Sequence, residues 1–297
     1  MRPSPVKWQV IPSGGPHVES VGGTVEAFLA EAWRRFCRAS RKGLENPEHA
    51  HQARVWSRRA GAALWLYRDW FDGQAYRRVQ KGLQALRESA DRARTWDLWL
   101  VWLRTQAGRQ GVEAWLDQAE TKREKAYRQL ARARRKLPRL RGLRSRCSAL
   151  VAGVSYRGKQ SPSQALSESV TQRIGRFFDT CPHGGSRAKD FHAFRIAGKK
   201  LRYTLELTHS LFPVEAREEL YVRLKQILDH LGEMNDLEVF LEQVSQSRLC
   251  GTESGRWLQN ELLIRQQQAL GKYWECGHPD LLKGLRVRFL SVCQPLE

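Results

Sequence analysis

HQARVWSRRAGAALWL, from His51 to Leu66, and HAFRIAGKKLRYTLEL, from His192 to Leu207, align residue by residue at a constant offset. His51 falls on His192, Arg54 on Arg195, Val55 on Ile196, and the pair Arg58, Arg59 on Lys199, Lys200. On a helical wheel, at about 100° per residue, His51, Arg54 and Arg58 lie within an arc of roughly 60°, with Ala63, Leu64 and Leu66 on the other side. In the second stretch His192, Arg195, Lys199 and Arg202 span roughly 80°, away from Leu201, Leu205 and Leu207. Each stretch therefore predicts an amphipathic helix with a basic stripe. Arg59 and Lys200 fall toward the edge of the apolar arc, an unusual place for a cation.

The correspondence extends past these helices. TWDLWL around Asp97 resembles MNDLEVF around Asp236, at nearly the same separation from the histidine stretch. A unit repeated at this scale is the signature of a duplicated helical half. Working outward, residues 1 to 22 are rich in Pro, Gly and Ser and carry no period, which predicts an irregular lead-in. A first helix is expected from Thr24 to about Ser40, and Asn46 with Pro47 caps a second that runs to Gly73. A third covers Gln74 to Thr105, ended by Gly108 and Gly111, and a fourth covers Val112 to Leu137 before Pro138. Residues 153–163 read as a linker, and the order then repeats near 164–179, 189–212, 214–248 and 254–275, with a short helix after Pro279. The halves are thus 23–152 and 164–297, and no window alternates as a strand would.

Charge narrows the function. The 297 residues hold 51 Lys and Arg against 31 Asp and Glu, a net charge of +20, with a pI near 10.2. Such a field attracts phosphate-rich partners. The 41% hydrophobic content and 11 Trp are ample for a core, so the charge belongs to a folded surface. From Thr121 to Arg146 there are twelve cations and one acid, Glu124, and Lys125, Arg128, Arg132 and Arg135 form a ladder on one face over about 15 Å of helix. The six cysteines show no C-x-x-C pair or metal-type spacing and read as reduced. The N-terminal stretch lacks a signal-peptide run, and no segment is apolar enough to span a bilayer, so a cytoplasmic protein is expected.

The histidine stretches, above all HAFRIAGKKLRYTLEL with NDLEVF after it, resemble the CHAD family, the conserved-histidine α-helical domains, from about Val25 to Leu290. The resemblance implies an all-α fold of two pseudo-symmetric four-helix bundles, with a basic groove or pore at their junction that binds inorganic polyphosphate. The binding residues it implies are His51, Arg54, Arg58 and Arg59 in the first half and His192, Arg195, Lys199, Lys200, Arg202 and Tyr203 in the second. It also implies a stand-alone member, because the chain lacks room for the triphosphate-tunnel domain fused to some relatives. Association with polyphosphate granules or polyphosphate-metabolising enzymes follows from the same likeness. Gly61 stands where the second copy has Arg202, and Trp96 and Asn235 precede the two aspartates where the family often has Arg.

The side-chain chemistry agrees with that expectation on its own terms. Arg presents a planar fork to phosphate oxygens, Lys a movable point charge, and His a ring donor, and none requires a cofactor or metal. Nucleic acid is the second-ranked partner, since the charge admits it but no helix-turn-helix, zinc-finger or RNP motif is visible. Exposed tryptophans among cations would favour it; buried ones would not. An enzyme acting on phosphoanhydrides ranks third, because no acidic metal cluster or Gly-rich phosphate loop is present. Asp97 and Asp236 are expected to be structural, pairing with motif cations such as Arg59 or Lys200.

Overall fold

The computed structural model describes residues 47–70, 72–135, 162–208 and 214–292. The expected helix from Thr24 to Ser40, the lead-in, and most of the linker lie outside these residues. The described residues form eight α-helices and a 3-10 turn, with no strand: α1 (Pro47–Leu66), the turn (Arg68–Trp70), α2 (Gly73–Arg104), α3 (Val112–Arg135), α4 (Pro162–Asp179), α5 (Ala188–Leu207), α6 (Val214–Ser245), α7 (Glu253–Gly277) and α8 (Pro279–Val292). The chain is all-α. No helix among the described residues is long and apolar enough to cross a membrane.

The starts of α1, α2 and α3 and those of α5, α6 and α7 are separated by one interval, the interval between His51 and His192. Pro47 falls on Ala188, Gly73 on Val214 and Val112 on Glu253. Helix lengths follow suit: α1 and α5 have 20 residues each, and α2 and α6 have 32 each. This register refines one expected match. Asp97 falls on Glu238 and Asp236 on Thr95, so the two Asp-Leu pairs are close in sequence place without being equivalent positions.

Local chemistry sets the boundaries. The second helix was expected to run to Gly73, yet α1 stops at Leu66 and a 3-10 turn follows. Asp72 is the reason for the new start: its carboxylate accepts from the N–H groups of Gln74 (3.0 Å) and Ala75 (2.9 Å), capping α2. Gly108 and Gly111, at φ 93° and 81°, make the left-handed turn between α2 and α3. Thr252 caps α7 through Gly255 N–H (3.1 Å). The last helix is longer than the short one expected, at 14 residues.

Two hydrophobic cores hold the helices, and each draws on both sides of the linker. The first gathers Ala63, Leu64 and Leu66 of α1 with Phe177, Phe194, Leu224 and Phe289; Phe177 and Phe194 stack at 4.4 Å between centroids. The second joins Trp99 and Leu103 of α2 and Trp115 of α3 to Phe240, Leu258 and Leu262. The long helices α2 and α6, each about 48 Å at 1.5 Å per residue, run through both cores. The motif helices α1 and α5 belong to the first core alone, and they pack on each other. Gly198 permits a close approach on α5: a Cβ there would lie 2.8 Å from Leu228 Cδ2 and 2.9 Å from Phe177 Cε2.

Candidate functional site

Because α1 and α5 are neighbours, their basic stripes meet. Arg54 and Arg58 both donate to Asp91 Oδ1 of α2, Arg58 from Nη2 at 2.9 Å and Arg54 from Nε. On the other side, Arg195 Nη1 donates to Asn235 Oδ1 of α6 (3.1 Å), and the His192 ring, protonated on Nδ1, donates to the same oxygen (2.9 Å). The two halves thus solve one problem differently: a carboxylate receives the first pair, an uncharged amide the second. Asp91 touches the first pair directly, whereas Asp236 acts on the second from nearby.

Lys199 lies among these arginines, and burial together with Arg195, Arg58 and Arg54 pushes its ammonium down to about 6; Asp236 opposes the shift. Burial also lowers Arg195 and Arg54 from the usual guanidinium value, with Asp236 and Asp91 acting the other way. His51 is lowered by burial and by Arg94, and its Nδ1 has no partner. Arg54, Arg58, Arg94, Arg195 and Lys199 therefore face Asp91 and Asp236, an excess of positive charge drawn from both halves. Like charges at such range destabilise the free protein. A bound anion would relieve that repulsion, and its oxygens would meet unpaired donors such as Arg195 Nε.

The remaining expected site residues go elsewhere. Arg59 of α1 donates from Nε to Glu206 Oε2 of α5 (3.0 Å), and Arg202 Nη1 reaches Oε1 of the same carboxylate (3.3 Å) and the Tyr221 hydroxyl (3.4 Å). Tyr203 is buried in the first core beneath Arg202, 4.7 Å from its guanidinium carbon. Arg59 ties the halves together, while Arg202 and Tyr203 brace the second half instead of facing the cluster. Lys200 points toward α4, where Arg173, Arg176 and, from α2, Arg87 act on it.

Lys125, Arg128 and Arg132 are exposed along α3, which packs on α2, and none of them is among the leading charges acting on Arg54, Arg195 or Lys199. Arg135 ends the same helix, and the rest of the basic run lies outside the described residues. The aspartates were expected to pair with Arg59 or Lys200. Asp97 instead accepts from Arg123 Nε (2.7 Å) and the Tyr127 hydroxyl (2.7 Å) of α3, and Asp236 lies near Arg195 and Lys199. The expectation of a structural role named the wrong partners, because a sequence does not say which helix lies opposite.

Sequence reading missed Asp91, Arg94 and Glu206, and it named Asn235 only as a departure from the family pattern. One signal was present: Arg94 and Asn235 are separated by the repeat interval, and each acts on the histidine of its own half. The tryptophans divide on the point set for them: Trp65, Trp102 and Trp257 are half-buried with arginines over their rings. Trp99 and Trp115 are buried, and no tryptophan is among the exposed large hydrophobic residues described.

A domain model described as the CHAD domain matches residues 25–245. No curated protein matches the chain. Among solved structures, the CHAD domain from the plant Ricinus communis is similar with a TM-score of 0.67 and 21% identity, over 91% of this chain and 92% of that one. PptA from Streptomyces chartreusis is similar with a TM-score of 0.64 and 17% identity, over 86% and 98%. At such identities the structural likeness speaks for the fold, and the domain match covers most of the length. The chain belongs to the CHAD domain family.

Proposed function

We infer that this protein binds inorganic polyphosphate at the junction of α1 and α5. The observation that carries the reading is the cluster of Arg54, Arg58 and Arg195, three guanidinium groups from two halves gathered with the buried Lys199 amine about two carboxylates. A chain with a charge on every repeating unit engages several such donors at once, so affinity arises from number and spacing. Family membership favours this partner over nucleic acid.

The protein acts as a binding module without turnover, on granules or beside polyphosphate-metabolising enzymes in the cytoplasm. The test is titration calorimetry with polyphosphates of defined length, with single-stranded nucleic acid as competitor. Saturable polyphosphate binding that resists the competitor supports the reading; equal affinity for both polymers overturns it. Release of orthophosphate during the titration would overturn the non-catalytic role.

A further inference from the structure

Lys199 and Lys200 are adjacent on α5 and so point about 100° apart. The first enters the junction cluster, and the second faces a different gathering of cations at the corner of α4, α5 and the 3-10 turn. At its centre Arg173 is only 6% exposed, with its guanidinium carbon 3.3 Å from the centroid of the Trp65 ring. Arg68 lies over the same ring at 4.5 Å, fixed by the Trp65 carbonyl (3.1 Å) and Ser169 Oγ (3.4 Å). One indole thus collects two guanidinium groups of like charge.

Among the described residues, no acid forms an ion pair with Arg173. Arg173 Nε is buried without a partner, and its leading charged neighbours are Arg176 and Arg68; with burial they push it down to about 10. Lys200 is lowered by burial, Arg173, Arg176 and Arg87. The carboxylate nearby is Asp69, half-exposed and 3.6 Å from Arg68 Nη2. Neither Arg176 nor Lys200 forms a side-chain ion pair among the described residues. Burying an arginine without a counter-ion is costly. Here the cost is multiplied by placing further cations around it, an arrangement that a bound anion turns into a gain.

We propose that Arg68, Arg173, Arg176 and Lys200 form a second site, for a multiply charged phosphoryl anion, on the wall of Trp65 and apart from the α1–α5 junction. The guanidinium stacked on Trp65 is held in plane, so its fork is pre-organised for two phosphate oxygens, while Lys200 and Arg176 close from the exposed side. The ring's covered face leaves no platform for a base, which selects inorganic phosphates over nucleotides. Free pyrophosphate and the end of a polyphosphate chain present the same group. The site does not depend on the junction reading.

Calorimetry with pyrophosphate tests this directly. Wild-type protein is expected to take up two equivalents, one per site. Arg173→Met, and separately Lys200→Gln on an exposed residue that leaves the fold untouched, should weaken one equivalent by about tenfold or more. Arg195→Gln with Lys199→Gln should remove the other and spare this one. A long polyphosphate then separates the sources: reduced affinity in the Lys200 variant assigns the chain end, unchanged affinity assigns free pyrophosphate. Binding of one equivalent that only the junction variants abolish, or corner variants with two equivalents at wild-type affinity, would overturn the proposal. One equivalent that only the corner variants abolish would sink the junction reading and leave this site standing.

Discussion

Arg59 Nε and Glu206 Oε2, 147 positions apart, meet at 3.0 Å and join the motif helix of one half to that of the other. The Glu206 side chain is 5% exposed and also receives Arg202, so its loss would take the shared carboxylate from two part-buried arginines. Glu206→Ala should therefore lower stability by about 3–5 kcal/mol, the range for breaking a buried pair from one side. Urea unfolding measures it. A change below about 1 kcal/mol would mean that the pair contributes no more than a surface contact.

The unlike partners of the two stripes predict unequal effects on binding. Arg54 and Arg58 already share Asp91, whereas Arg195 has the neutral Asn235. Replacing Arg195 and Lys199 by Gln should weaken polyphosphate binding more than replacing Arg54 and Arg58, with each lost charge-assisted contact costing about 1–3 kcal/mol. Both double variants should flatten the plot of log affinity against log salt, because fewer counterions are released. Variants that bind as wild type does would replace a defined junction with diffuse surface charge.

Lys199 predicts proton uptake on binding. Its folded value near 6 lies below the ordinary 10.5, so between those values the unfolded chain holds a proton that the folded chain lacks. The stability of the free protein should then rise with pH across that window, with the full penalty of the buried charge present below about 6. An anion beside Lys199 restores the proton. Calorimetry at pH 7–8 in buffers of different ionisation enthalpy should show uptake, and affinity should increase as pH falls toward 6. Lys199→Met should remove most of this signal; a buffer-independent heat in the wild type would contradict it.

The exposed ladder on α3 should matter only to long ligands. Lys125, Arg128 and Arg132 lie on the helix that packs against α2, away from the charges acting on Lys199. Changing all three to Gln should leave triphosphate binding as it is and reduce affinity for polyphosphates long enough to reach them. Equal losses for short and long chains would place the ladder inside the primary site.

Periodicity was enough to see the helices and the basic stripes, because both are properties of one helix at a time. It even flagged Arg59 and Lys200 as misplaced cations. What it could not supply was the neighbour: Glu206 explains Arg59 from far along the chain, and Arg173 makes Lys200's setting more positive instead of neutralising it. Asp97 shows the same limit. A motif cation was its expected partner, yet its partners Arg123 and Tyr127 sit on α3, a helix chosen by how α2 and α3 fold back on each other. The shared role of Asp91 and Asn235 escaped notice because one is charged and the other neutral, so it leaves no common letter in the sequence.

The matched starts of α1 with α5, α2 with α6 and α3 with α7 make the halves alike as rulers more than as texts. Few letters outside the histidine stretches agree, yet each counterpart helix begins after the same number of residues. A single residue inserted within α1 would turn every later side chain by about 100°, carrying Arg58 away from Lys199 and dragging Leu64 and Leu66 out of the first core. Exchange of one residue for another is tolerated over the exposed faces of these helices, whereas a change of count is tolerated only between them. For anyone remodelling this protein, helix phase is the quantity to preserve, and grafts between halves should be cut at the shared starts.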